Sequence, residues 1–496
     1  MATNVEITTT YGPVIGSVEG DVRRFLGIPY AAAPFGENRM RRPRPHDGWT
    51  TPRPATQPGA TVPKSPYPKP FDDLLPEPDI AGEECLNLNI WAPLSGADLP
   101  VLVWIHGGAF ANGSGIVPQY DGTAFARDGV VCVTINYRLA ADGFLYTGDG
   151  DTETNLGLRD QIAALAWIRD NIGAFGGDPN RVTIAGESAG AMSVGSLLSS
   201  PLATGLFQRA ILQSGAGHTA IPRRDAQTVA SELAIRLGVE PTRQALASVP
   251  IEDLKAAQRS ISAEVQKSPD PVKWGAIAAN QMPFEPVVDG DVLPVLPIES
   301  IASGSASDVD VLIGWNTDEM RLFMVPGGTV DLINDDLLAL MVGGFGLPVD
   351  DAVAAYTNAG DSPGDVAARV ATDWMFRIPA VRLAEAQHAN GANIFMYEFA
   401  WRTPVRGGVL GAAHALEIPF VFKTVDSVDG DWLAGGSPPQ SLSEAMHHAW
   451  VAFISDGDPG WDQYDTESRT TMRFDETSEV VSDPYATTRE LWDGIR

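Results

Sequence analysis

Cysteine is scarce in this chain: 496 residues contain two, Cys85 and Cys132. Cys132 lies inside VVCVTINY, a run that reads as a buried strand, where a thiol behaves as a small hydrophobe. No disulfide framework is expected, and the cytoplasm is the expected compartment. Cationic residues are also few. Lys and Arg number 34 against 63 Asp and Glu, a net charge of −29. Such a surface repels phosphate backbones and anionic lipid, so neither nucleic acid nor a membrane is expected as a partner. The strongest apolar runs, 101–105 and 130–135, fall far short of the ~20 residues a membrane span needs. The start, MATNVEITTTYG, lacks the basic then apolar pattern of a signal peptide. No Cys/His spacing suggests a metal site, and no cofactor is expected.

What is present is ordinary globular composition, 44% hydrophobic and 20% charged, with 50 Gly and 38 Pro to shape turns and long loops. Residues 5–30 alternate around Gly12, Gly16 and Gly20 and read as short antiparallel strands. Residues 43–78 are so rich in proline that a long irregular surface loop is expected. Segments 86–93, 99–108, 129–137, 181–186, 207–215, 309–316 and 394–401 read as strands. Those without alternation suggest strands covered on both faces. LRDQIAALAWIRDNIGAFG (158–176) has helical spacing, and AGAMSVGSLLSS (189–200) starts a helix of small residues. Strands alternating with helices predict an α/β fold with a mostly parallel sheet covered on both sides. Residues 221–280 and 325–390 read as mainly helical insertions over a sheet edge, within one domain spanning 1–496.

Gly186-Glu187-Ser188-Ala189-Gly190 fits G-x-S-x-G between a buried strand and a helix, the context in which that motif presents a nucleophilic serine on a sharp turn. A serine needs a base, and in this motif's fold the order is Ser, acid, His. That order removes His46, His106 and His218. His388, His447 and His448 sit in helical stretches. His414, in the small-residue segment GGVLGAAHALEIPF after a strand, is the remaining candidate. The acid should follow the strand 309–316, where NTDEM offers Asp318 and Glu319, and spacing alone does not choose between them. His106-Gly107-Gly108-Ala109-Phe110 ends another buried strand and fits a glycine-rich turn that supplies N–H donors to an oxyanion hole. Ala189, following the nucleophile, is the expected further donor.

FLGIPYAAAP (25–34), EECLNLNIWAP (83–93), NYRLAADGFL (136–145), NLGLRDQIAALAWIRDNIGAFGGDPNRVTIAGESAG (155–190), FQRAILQSG and GAAHALEIPFVF (411–422) together resemble the blocks of the type-B carboxylesterases, the cholinesterase-like family of α/β-hydrolases. The bacterial esterase branch, including enzymes acting on aryl esters and aryl carbamates, looks nearer than the animal cholinesterases. The resemblance implies a serine hydrolase of carboxylic esters with the triad Ser188, Glu319 and His414, working through an acyl-enzyme. An amidase or aryl-carbamate hydrolase on the same triad is the alternative. It also implies oxyanion donors at Gly108, Ala109 and Ala189, and a supporting role for Ser214 beside the acid. Met320 stands where the family usually has glycine. Cys85 matches one half of a disulfide in secreted relatives with no partner before it, so the 43–78 loop is expected to lie untied and mobile at the rim. Phe110, Met282, Phe284, Met320 and Phe323, with Trp374 and Phe376, are candidates for an apolar substrate gorge. The expected partner is a small, neutral, apolar ester.

Overall fold

The structure, a computed structural model, describes residues 3–149, 153–427 and 431–496. Its centre is a thirteen-stranded sheet. Thr3–Thr9, Gly12–Glu19 and Val22–Pro29 form an antiparallel meander that joins Asn87–Pro93. Next across the sheet come Val131–Ile135, Leu99–Ile105, Gly177–Glu187, Arg209–Gln213, Asp310–Asn316, Ile394–Phe399 and Thr470–Phe474. Every neighbouring pair in that run of strands is parallel.

The continuous apolar runs of the sequence are these parallel strands, and alternation divides each between two cores. Val101, Val103 and Ile105 face one cluster, Leu102 and Trp104 the other. The first cluster is capped by helices Leu156–Asn171 and Ala189–Ser199, the second by Gln440–Asp456. The segment read as a helix over 158–176 begins at Leu156 and tightens into a 3-10 turn at Ile172–Phe175, ended by Gly176 at φ 94°. Between the strands and the first helix lies a buried ion pair. Arg138 places Nε and Nη2 on the two carboxylate oxygens of Asp160, at 2.7 and 2.6 Å.

Two expectations need correction. Residues 325–390 are not one insertion. Helices between Thr329 and Thr372 build a satellite core with Met324, Leu338, Val342, Tyr356 and Trp492. Helix Ile378–Ala389 instead lies on the sheet, because Ala380, Leu383 and Ala384 give it a buried stripe in the main core. The proline-rich segment 43–78 is largely irregular but is not untied. Arg53–Pro54 pairs with Val14 and Ile15, and Ala55, Val62 and Leu74 are buried. Lys64 and Glu77 pin its far end in place of a disulfide. Among the described residues no single helix is long and apolar enough to cross a bilayer.

Candidate active site

Parallel pairing brings the carboxyl ends of the central strands together. Ile105 is in register with Gly186, Glu187 with Gln213, and Gly314 with Gln213. The loops leaving these ends therefore meet over one edge of the sheet. Ser188 occupies the junction between the strand Gly177–Glu187 and the helix Ala189–Ser199, at φ 56° and ψ −125°. A non-glycine residue in that region is strained by on the order of 1–3 kcal/mol. Its neighbours make the turn possible. A Cβ on Gly190 would lie 2.0 Å from the Ile105 carbonyl oxygen, and one on Gly186 2.5 Å from the Gly190 carbonyl carbon. The Ser188 N–H donates to Gln213 O at 2.9 Å. Glu187 and Ala189 are buried, whereas Ser188 is half-buried and reachable.

His414 lies in the loop after Ile394–Phe399, and its Nδ1 donates to Glu319 Oε2 at 2.6 Å. Glu319 is fully buried, and its other oxygen accepts the Asn316 N–H at 2.8 Å. Asp318 turns the opposite way. Its Oδ2 accepts from Arg402 Nη1 at 2.8 Å and from the Ala412 N–H at 3.0 Å, anchoring the loop that carries His414. Two rings flank the imidazole, Phe323 at 5.1 Å and Phe376 at 4.7 Å between centroids. Phe376 belongs to a π-helical turn, Asp373–Arg377, a local widening of the helix.

The other nitrogen, His414 Nε2, lies 3.0 Å from Glu187 Oε1 without the alignment of a hydrogen bond. Both atoms are buried and have no hydrogen-bond partner among the described residues. Hydrogen bonds of catalytic groups are often loose until substrate is bound. Burial opposes protonation of His414, but the carboxylates of Glu187, Glu319 and Glu417 outweigh it and raise its pKa to about 9. Burial pushes the Glu187 carboxyl up to about 8, with His414 opposing and Glu417 and Glu319 adding to the rise.

The glycine-rich turn after Leu99–Ile105 lies against the serine. A Cβ on Gly107 would be 3.1 Å from Ser188 Cβ. Gly108, Ala109 and Phe110 run through three successive positive φ values, 111°, 52° and 58°. Gly108 and Ala109 stay accessible, and Ala189 opens the helix after Ser188, where backbone N–H groups lack intrahelical partners. His106 is buried and stacked on Tyr137 at 4.4 Å, and burial lowers its pKa to about 3, so it stays neutral.

Several candidate positions do not sit as expected. Phe110 is fully buried on Phe144, at 5.0 Å, because the positive φ turns its side chain beneath the loop. Phe284 is a core residue at 2% exposure, while Met282 is only partly buried. Met320 is half-buried between the main and satellite cores. Trp374 stacks on Phe345 in the satellite core. Ser214 is buried near the strand ends, but among the described residues its hydroxyl has no hydrogen-bond partner; the Asn316 N–H, not Ser214, holds Glu319. Sequence reasoning missed Glu187 and Glu417, although both stand inside quoted motifs. Buried Glu417 accepts from Asn316 Nδ2 at 2.6 Å and Gln213 Nε2 at 3.0 Å, linking the ends of the strands Asp310–Asn316 and Arg209–Gln213. Among the described residues no group of three or more His, Cys, Asp and Glu is arranged to hold a metal ion.

A mostly parallel sheet covered on both faces, with a strained serine at a strand-to-helix turn, defines an α/β-hydrolase. The chain belongs to the carboxylesterase family, whose sequence model matches residues 3–492, and it is a carboxylic ester hydrolase. It is 38% identical to the para-nitrobenzyl esterase of Bacillus subtilis (strain 168), over 98% of this chain and 97% of that protein. It is also 38% identical to the phenmedipham hydrolase of Pseudarthrobacter oxydans, over 92% of this chain and 90% of that one. A crystal structure of a Geobacillus stearothermophilus carboxylesterase superposes with a TM-score of 0.85 at 38% identity, covering 98% of this chain and 99% of that chain.

Proposed function

We propose that this carboxylic ester hydrolase works by two-step acyl transfer on Ser188, His414 and Glu319. The observation that carries the reading is the 2.6 Å contact between His414 Nδ1 and buried Glu319, on loops that leave the same sheet edge as the half-buried Ser188 at its strained turn. Ser188 Oγ attacks the ester carbonyl while His414 Nε2 takes its proton. Glu319 fixes the tautomer that leaves Nε2 free and stabilises the imidazolium that forms. The N–H groups of Gly108, Ala109 and Ala189 receive the oxyanion, each worth ~3 kcal/mol of barrier where such donors have been removed. His414 then gives the proton to the leaving alcohol. Water repeats the sequence on the acyl-enzyme, releasing the acid and free serine. The rings of Phe323 and Phe376 favour an apolar substrate beside the imidazole. The free, buried thiols Cys85 and Cys132 suit a reducing compartment, the cytoplasm.

The similarity to a phenmedipham hydrolase keeps the aryl-carbamate reading beside the ester one, since the acyl-transfer steps are shared and only the leaving group differs. A panel of p-nitrophenyl esters, anilides and aryl carbamates separates them; the ester reading expects the highest kcat/KM on esters. The nucleophile is tested by Ser188→Ala, which should abolish turnover with the fold intact by circular dichroism. A fluorophosphonate probe should add one mass increment that peptide mapping places on Ser188. Turnover near the wild-type rate, or label on another serine, overturns the assignment.

A further inference from the structure

We infer that Glu77, far from the nucleophile in sequence and outside the triad, is a positioning residue that holds the oxyanion loop 106–113 in its working shape. The inference rests on the acyl-transfer reading above.

Glu77 comes from the end of the proline-rich segment, and its side chain is 11% exposed. Its two oxygens take different donors from one corner of the loop. Oε2 accepts from Asn112 Nδ2 at 2.9 Å and Oε1 from the Gly113 N–H at 3.0 Å. Asn112 Nδ2 also donates to Ser65 O at 2.6 Å, so a second stretch of the same segment grips the same amide. A buried carboxylate needs compensation. Lys64, 1% exposed, supplies it with Nζ 3.5 Å from Oε1, and is itself held by Pro78 O at 2.9 Å. Burial still raises the Glu77 carboxyl above its ordinary range, against the lowering by Lys64, Gly113 and Asn112.

What Glu77 grips is tightly coupled to the proposed donors. The N–H groups of Ala111 and Asn112 both donate to Gly108 O, at 2.9 and 2.8 Å. A Cβ on Gly108 would lie 2.3 Å from Asn112 O, and one on Gly113 2.4 Å from Gly107 O. With so little slack, a shift at Asn112–Gly113 is carried to Gly107 and Gly108, and Gly107 lies against Ser188. The backbone from Gly108 to Phe110 has three successive positive φ values, two of them on residues with a Cβ. Such a conformation persists only where its surroundings enforce it. Glu77 and Lys64 supply that enforcement from a segment that carries no disulfide. Misaiming a donor matters more in the transition state than in the substrate complex, because the oxyanion exists only there.

The experiment compares wild type, Glu77→Gln and Glu77→Ala by kcat and KM on p-nitrophenyl butyrate, by affinity for an aryl trifluoromethyl ketone, and by melting temperature. The ketone forms a hemiketal whose oxyanion needs the same donors. Glu77→Ala should lower kcat by about 10- to 100-fold with KM changed less than about threefold, and weaken the ketone in proportion to kcat/KM. Glu77→Gln keeps the shape and one acceptor, so it should fall between, and it carries the test if the alanine variant does not fold. The inference is overturned if the folded variants keep wild-type kcat and ketone affinity with only a lower melting temperature, or if KM alone rises. A wild-type enzyme that acts on no ester fails the reading of function itself. An active wild type with unaffected variants fails only the role of Glu77.

Discussion

His414 Nδ1 and Glu319 Oε2 are 2.6 Å apart, while Asp318, one residue earlier, gives its carboxylate to Arg402 and the Ala412 N–H. The two adjacent acids thus serve different ends of one loop, one orienting the imidazole and the other tethering the chain that carries it. Glu319→Gln should lose far more kcat than Asp318→Asn, by about 100-fold or more, because it leaves the imidazole without an anionic partner as positive charge develops. Asp318→Asn should act mainly on thermal stability. Side-by-side kcat and melting curves decide it, and a larger kcat loss in Asp318→Asn would reverse the assignment.

Glu187 faces the nitrogen of His414 that the proposed mechanism needs unprotonated for attack. Burial lowers the pKa of His414, but the charges of Glu187 and Glu319, the hydrogen bond to Glu319 and the charge of Glu417 raise it to about 9. A raised base pKa places the acid limb of the kcat/KM profile at alkaline pH, since activity appears as the proton leaves. Glu187→Gln removes the largest raising charge, so the midpoint should move to lower pH and the ratio of activity at pH 6 to that at pH 9 should rise. A limb that stays in place or moves upward would mean that Glu187 is neutral across the working range.

The Arg138–Asp160 pair is a matter of stability rather than chemistry. Their side chains are 2% and 0% exposed, and Arg138 also donates to Arg41 O at 2.6 Å. Asp160→Asn leaves a guanidinium buried with no anion beside it, a loss of ~3–5 kcal/mol. Urea unfolding should show the first transition moving to lower denaturant by a matching amount. Arg138→Met combined with Asp160→Leu should recover much of it, because removing both charges leaves no orphan.

The sequence was legible where one local pattern carried one structural demand. The parallel strands were readable because both faces are covered, which erases alternation. Ser188 was readable because an elbow needs Gly186 and Gly190 at fixed offsets. His414 followed from order and from the helical character of its rivals. What stayed hidden was set by contacts distant in sequence. Spacing alone does not separate Asp318 from Glu319, since that depends on where Arg402 and Ala412 lie, and only the family resemblance singled out Glu319. Phe110 reads as a gorge residue until the positive φ at its own position turns it inward. The 43–78 segment has no periodicity from which the meeting of Lys64 with Glu77, or of Glu77 with Asn112, could be read. Helix Ile378–Ala389 reads like the helices before it, and only packing on the sheet sets it apart.

Neutral, apolar esters should be preferred over esters carrying a negative charge. The groups that bear on the imidazole electrostatically include three carboxylates, Glu187, Glu319 and Glu417, and the rings beside it belong to Phe323 and Phe376. An anionic substituent would meet acidic side chains and apolar surface, with no arginine or lysine among these groups. The net charge of −29 adds a longer-range repulsion, screened beyond ~8 Å at physiological salt. The two contributions differ in salt dependence. The surface field fades as salt rises, while the buried carboxylates are shielded from ions and keep their effect. A matched pair tests both: p-nitrophenyl butyrate and its analogue with a terminal carboxylate, compared by kcat/KM at low and high salt. The neutral ester should win at both, by a margin that narrows but does not vanish as salt is added. A gap that closes completely would assign the selectivity to the surface alone. Faster turnover of the anionic ester at low salt would require a cation in the pocket and would defeat the argument.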